Sequence, residues 1–258
     1  MGLLFPQDEI RPGTRPTGFA RYRQILERDW KNLILVGFIT LLYYIPFGLG
    51  MVYAILSKSV LIMLFAALVG GAILGPGLAC MYDLILRRLR DDRGDWWIRY
   101  KTAMRQNYRA SVLPGVIQCL FLGCVIFSGA LIWWAEAPIS WGTVALLLFG
   151  SLIVEMVFTV WWPQVVLFEQ RQVLRLKNCL FFILQNFKRC FAAALLQLIW
   201  WLLAFLLFPW SAFLVPFLGV WYVLMLAMFI IYKPLNAAFR IEEQIEQQFP
   251  GQIDTEGE

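Results

Sequence analysis

Residues Ser59 to Tyr82 read SVLIMLFAALVGGAILGPGLACMY, and Asp83 to Arg109 read DLILRRLRDDRGDWWIRYKTAMRQNYR. The first stretch carries no charged side chain and is long enough for a helix to cross the hydrocarbon core of a bilayer, which takes about 20 residues. The second holds eight basic residues: Arg87, Arg88, Arg90, Arg93, Arg99, Lys101, Arg105 and Arg109. The same alternation runs along the whole chain. Uncharged runs cover Asn32 to Ser57, Ala110 to Ala135 and Cys190 to Tyr232, the last long enough for two spans about Phe208-Pro209-Trp210-Ser211. A further run from Ala137 to Phe168 is broken only by Glu155. Solid apolar blocks lack the period-two alternation of barrel strands, so they are expected to be helices. The fold class is an all-α membrane protein with six transmembrane helices, at about 32–56, 60–85, 111–134, 141–167, 190–208 and 212–232.

The basic residues give an orientation. Of the 22 Lys and Arg residues, 21 fall in alternate connecting segments and only Lys58 falls in the other set. Short loops rich in Lys and Arg stay on the cytoplasmic side. The organisation expected is a cytoplasmic N-terminal segment (1–31), one polytopic membrane domain (32–236) and an acidic cytoplasmic tail (237–258). The outward loops, around Lys58, Glu136 and Pro209, are only a few residues long. Residues 1–17, with Pro6, Pro12, Gly13 and Pro16, read as an extended lead-in without the pattern of a cleaved signal peptide. Phe19 to Trp30 reads as a short amphipathic helix feeding the first span, and Pro250-Gly251 as a helix stop in the tail.

Composition removes several function classes. The chain is 60% hydrophobic, 15% charged and carries a formal charge of +5. Its cations sit beside membrane spans, where anionic lipid head groups are their partners, and not on a basic stripe that would bind nucleic acid. There is no histidine, which removes the usual general base, the usual zinc ligand and every Ser-His or Cys-His pair. The five cysteines, Cys80, Cys119, Cys124, Cys179 and Cys190, lie in or beside spans and lack the spacing of a metal or redox pair. No metal, cofactor or catalytic residue is expected, and no enzyme activity. The sole enzyme alternative, a lipid-modifying enzyme, would have to use Asp91, Asp92 and Asp95, which turn and capping roles also explain.

Two cytoplasmic amphipathic helices are expected at the membrane surface. In the first, beginning at Gly94-Asp95, Trp96, Trp97, Tyr100, Ala103, Met104 and Tyr108 recur at helical spacing; in the second, Val173, Leu176, Leu180, Ile183 and Phe187 do so. Gln106-Asn107-Tyr108-Arg109 at the end of the first answers Gln185-Asn186-Phe187-Lys188 at the end of the second. Each follows a proline-marked span, at Pro76 and Pro163, so the pattern reads as an internal parallel repeat about an axis along the membrane normal. The competing reading is that any helix entering a membrane from the cytoplasm ends in aromatic and basic residues that snorkel.

Four further features are candidates for function. Glu155, within the fourth span, must be protonated, paired or facing water, because an ionised carboxylate there costs several kcal/mol. It is either a proton or cation relay, or a hydrogen-bonded group holding helices in register. Asp83 precedes Arg87 by four residues, the spacing of a local ion pair. Gly71-x-x-x-Gly75 allows close helix approach, while Gly75-Pro76-Gly77 would alternatively break the span and expose carbonyl groups to a ligand. The tryptophan pairs Trp133-Trp134, Trp161-Trp162 and Trp200-Trp201 read as interfacial anchors, with stacking on sugar rings as the alternative.

The segment from Gly75 to Arg109 resembles the YesL-like family of bacterial integral membrane proteins. The likeness lies in Gly75-Pro76 followed by Ala79 and Tyr82, in Leu86-Arg87-Arg88-Leu89-Arg90-Asp91, in Trp97, and in the helix ending Gln106-Asn107-Tyr108-Arg109. Pro163 through Phe168-Glu169 to Asn186-Phe187 is similar as well. The chain departs from shorter members by inserting Phe47 to Leu74. The resemblance implies a bacterial plasma-membrane protein that accompanies carbohydrate uptake systems of the ABC type, with permease subunits as partners, and carries over no catalytic residue. The alternative is a small secondary transporter with Glu155, and secondarily Asp83, as the coupling carboxylate.

Overall fold

The apolar blocks are helices in the computed structural model, which describes residues 18–92, 95–134 and 140–248. In chain order these are α1 Gly18–Leu56, α2 Val60–Leu89, α3 Trp96–Trp134, α4 Trp141–Leu167, α5 Gln172–Gln185, α6 Phe187–Leu206, α7 Ser211–Leu214, a π-helical turn Val215–Gly219, α8 Trp221–Phe239 and α9 Ile241–Gln248. Six of them, α1, α2, α3, α4, α6 and α8, are long and apolar enough to cross a membrane. No strand occurs among the described residues. The chain is a multi-pass, all-helical membrane protein.

Both α1 and α3 have 39 residues, which at 1.5 Å per residue is about 58 Å, nearly twice the roughly 30 Å of a hydrocarbon core. Each therefore projects well past the apolar layer. The surplus is the basic amphipathic stretch: Phe19–Trp30 is not a separate helix but the first turns of α1, and Trp96–Tyr108 forms the first turns of α3. No glycine or proline stands between either amphipathic stretch and the span it enters, and Pro46 and Pro114 lie further along without stopping the helices. In a membrane, packed neighbours compensate the backbone groups that proline frees. Only the second amphipathic segment stands alone, as α5. Asn186 leaves helical geometry there (φ −121°, ψ 33°), and its side-chain amide donates to Phe182 O at 3.4 Å, competing with the backbone ladder. The two four-residue motifs thus differ in geometry, since Gln106-Asn107-Tyr108-Arg109 runs uninterrupted within α3 while Gln185-Asn186-Phe187-Lys188 straddles a break. The sixth span is composite, built from α7, the π turn and α8. Helix α9 occupies the start of the acidic tail, beyond a left-handed Arg240 (φ 47°). The lead-in before Gly18, Gly94, the Glu136 loop, the Trp133 side chain and Pro250-Gly251 lie outside the described residues.

At the end opposite the arginines, Lys58 turns the chain from α1 into α2 with φ 52°, and its Nζ lies 5.1 Å over the Trp134 ring at the end of α3. The core runs along α2, every residue of which from Leu74 to Leu86 is buried. It sits between α1 and α3 with α4 and α8 behind, and small residues let it approach. A Cβ on Gly71 would lie 2.5 Å from Val116 Cα, one on Gly75 would overlap Ser111 O, and one on Gly115 would overlap Gly71 O. Gly77 faces the Tyr43 ring, with a built Cβ 2.8 Å from it. Gly75-Pro76-Gly77 is buried inside a continuous helix. The span is not broken there, and the space of the missing Cβ atoms is taken by backbone of α3 at Gly75 and by the Tyr43 ring of α1 at Gly77.

Gly75→Leu is expected to separate α2 from α3 and lower the midpoint of thermal unfolding in mild detergent by several degrees or abolish folded protein, overpacking costing about 1–3 kcal/mol or more. Gly129→Leu, where nothing lies within 4 Å, is expected to leave the midpoint unchanged. Equal midpoints for the two variants would show that the contact is not close.

Candidate functional site

Two polar regions interrupt the apolar bundle. The first is a seam on α4, where Glu155, Thr159 and Trp162 recur at i, i+4 and i+7 and so share a face. Thr159 Oγ1 donates to the Glu155 carbonyl at 2.7 Å and accepts from Gln197 Nε2 of α6 at 2.7 Å. Trp162 Nε1 donates to Gln118 Oε1 of α3 at 2.8 Å, and its ring stacks on Tyr82 of α2 with centroids 5.8 Å apart. The helices α2, α3, α4 and α6 are thereby tied together. Such bonds are worth about 0.6 kcal/mol each in a membrane, at most near 2. Trp161 and Trp162 are buried, at 5% and 0% exposure, so this pair belongs to the core and is not an interfacial anchor. Trp200 also reaches inward, donating Nε1 to Gly219 O at 3.0 Å.

Glu155 lies at the top of this seam, half-buried, and close enough to Tyr44 of α1 and Tyr82 of α2 to act on both electrostatically. Its carboxylate makes no hydrogen bond among the described residues. The register role anticipated for a protonated Glu155 is carried instead by its neighbours Thr159, Gln197, Trp162 and Gln118. What remains at Glu155 is a carboxyl group within electrostatic reach of the Tyr44 and Tyr82 phenols.

The second region is an ion-pair lattice at the arginine-rich end. Asp83 pairs with Arg87 at 2.7 Å in the i, i+4 arrangement the sequence anticipates. Arg87 also reaches Asp92 at 2.9 Å, and Asp92 receives Arg99 of α3 at 3.3 Å. Asp91 takes Arg28 at 2.7 Å and, on its other oxygen, Arg21. Asp29 lies between Arg28 at 2.6 Å and Arg88 at 3.4 Å. Arg88 Nη1 donates to the Asp92 carbonyl at 2.8 Å and joins the two halves. Arg21 and Arg28 further donate to the carbonyls of Leu89 and Arg88 at the end of α2.

Asp91 does lie in the turn that leaves α2, but its side chain, like that of Asp92, is taken up by arginines and caps no helix. Only Asp95 caps, accepting from the Trp97 and Ile98 amides at 2.9 and 3.0 Å. The three acids that an enzyme reading would group are divided between two structural tasks. The partners of Asp91 lie in α1, and ion pairs across more than 60 residues leave no spacing signal; the sole hint is that Arg21 and Arg28 lie two helical turns apart ahead of an apolar span. Asp91 itself is left-handed (φ 66°), a conformation that Asp and Asn adopt more readily than most residues. Burial pushes its carboxyl pKa up, but hydrogen bonds from Arg21 and Arg28 outweigh that and hold it below the usual carboxylate range.

No family model, curated protein or solved structure matches this chain.

Because the Asp91 pKa is depressed in the folded state, its contribution to stability is full above about pH 3.9, the ordinary value, and is lost as pH falls through the lower folded value. Asp91→Asn keeps the left-handed backbone but leaves Arg21 and Arg28 without their carboxylate. It is expected to cost about 3–5 kcal/mol near neutral pH, read as a fall in the unfolding midpoint, and to flatten the acid limb of the stability curve. A variant as stable as the parent chain, with the same acid limb, would remove Asp91 from the lattice.

Proposed function

We propose that this chain is a plasma-membrane protein of a bacterium, oriented with its arginine-rich end in the cytoplasm, that assembles with the permease subunits of a carbohydrate uptake system of the ABC type. The observation that carries the assembly reading is α5. With 14 residues it is too short to cross a bilayer. Arg175, Cys179, Phe182 and Ile183 anchor one side in the protein, Arg175 donating to Phe168 O at 2.7 Å. The other side presents Val173, Leu176, Leu180, Phe181 and Leu184 outward, with Leu184 76% exposed. An apolar strip fixed at the rim of the bundle is suited to lateral contact with a neighbouring membrane subunit. The carbohydrate assignment and the bacterial membrane rest on the YesL-like resemblance of residues 75–109.

Affinity purification of the tagged chain from its native membrane in mild detergent is expected to bring down permease subunits in near-stoichiometric amount. Leu180→Asp with Leu184→Asp is expected to reduce that recovery at least tenfold while the protein still enters the membrane. Recovery of the chain alone would overturn the assembly reading.

A second reading is favoured by one observation, a Glu155 carboxyl group that lies within a span, makes no hydrogen bond among the described residues and is within electrostatic reach of Tyr44 and Tyr82. In this reading the chain is a small secondary transporter and Glu155 couples proton movement to a solute. Glu155→Gln would then abolish proton-driven uptake at unchanged expression, and uptake that survives the change would remove Glu155 as the coupling group.

A further inference from the structure

We infer that the groove between the start of α1 and the end of α8 is a binding site for one anionic phospholipid. The cavity has a volume of about 580 Å³, within the range of about 300–1,000 Å³ typical of small-molecule sites. Its lining is two-sided. Ile25, Leu89, Phe229 and Ile230 form an apolar wall, while Arg21, Arg189 and Lys233 supply cations around the mouth. Phe229 and Ile230 belong to a helix apolar enough to cross the membrane, whereas Lys233 and Asn236 follow them by one turn toward the arginine-rich end. The groove thus straddles the level at which a phospholipid changes from acyl chain to phosphate.

The charges fit one phosphodiester. Arg21 is already matched by Asp91. Arg189 and Lys233 make no side-chain hydrogen bond or ion pair among the described residues. Glu242 is the one acid in the lining, and it is held in place: its carboxylate accepts from Tyr232 Oη at 2.8 Å, and its amide donates to Asn236 Oδ1 at 3.0 Å. Arg189, Lys233 and Glu242 together leave one positive charge, and a single phosphodiester cancels it. A soluble anion would satisfy the cations but leave the apolar wall wet, and an acyl chain alone would leave the cations unmatched. A lipid carrying net negative charge answers both. The proposal is independent of the assembly reading, because the groove lies across α1, α6, α8 and α9 and uses no residue of α5.

The test is native mass spectrometry of the delipidated full chain titrated with phosphatidylglycerol, phosphatidylcholine and inorganic phosphate. Saturable binding of one phosphatidylglycerol is expected. Arg189→Gln with Lys233→Gln is expected to weaken it about thirtyfold, at the usual contribution of a basic residue near an anionic surface. Arg105→Gln with Arg109→Gln, which removes two exposed cations of α3 remote from the groove, is expected to leave binding unchanged, and thermal unfolding of both double variants checks that they are folded. An unchanged dissociation constant in the Arg189 and Lys233 variant would overturn the proposal. So would equal binding of phosphatidylcholine, or displacement of phosphatidylglycerol by inorganic phosphate at equal concentration, which would make the site one for a free anion.

Discussion

Four aspartates buried among five arginines set the shape of one end of this molecule. Arginine keeps its charge under all physiological conditions, so once Arg88 and its neighbours are drawn below the surface each needs a carboxylate within reach. Asp29, Asp83, Asp91 and Asp92 supply it, and they come from α1, from α2 and from the turn that leaves α2. The lattice forces α1 and α3 to extend beyond the apolar layer as unbroken helices, because Arg21, Arg28 and Arg99 must reach the end of α2. Further along the same three helices, glycine contacts at Gly71, Gly75 and Gly115 bring the backbones together. Charge at one end and close packing along the length make α1, α2 and α3 one unit, on which α4, α6 and α8 are assembled.

The remaining helices are joined to that unit by fewer and more local devices. Hydrogen bonds from Gln197 to Thr159 and from Trp162 to Gln118 tie α6 and α3 to α4. The stack of Tyr82 on Trp162 ties α2 to the same helix. This uneven construction places the functional candidates. Glu155 sits on the α4 seam that faces α2 and α3, α5 lies at the rim with an apolar side outward, and the groove lined by Arg189 and Lys233 opens where α8 passes the start of α1.

Much of this was legible in the residues. Blocks without charge identify helical spans because a bilayer tolerates no unsatisfied backbone, and the start of α2 and both ends of α4 fall within about four residues of the apolar runs, while α2 runs on past its own to Leu89. Asp83 and Arg87 were legible because their partnership is local, four residues apart on one helix. Gly71 and Gly75 were legible as small residues one turn apart. Other features depended on what packs where. That the amphipathic stretches merge with α1 and α3 while α5 stays separate turns on Asn186, whose twin Asn107 stays helical in α3. Trp161 and Trp162 look like interfacial anchors by position, yet both are buried, and Trp162 is held by Tyr82 of α2 and Gln118 of α3. The links from Asp91 to Arg21 and Arg28 join residues distant in sequence, and no periodicity reports such a pair.

The claim that the arginine–aspartate lattice holds α1 to the end of α2 is tested most directly by a double-mutant cycle on Arg28 and Asp91, which lie 2.7 Å apart. Stability in mild detergent would be measured for Arg28→Gln, Asp91→Asn, the double variant and the parent chain. The lattice predicts that the two losses are not additive, with a coupling energy of about 1–3 kcal/mol, the range found for residues within one ion-pair network. Losses that add to within about 0.3 kcal/mol would show that the two side chains stabilise the fold independently, and would contradict the lattice as the link between these helices.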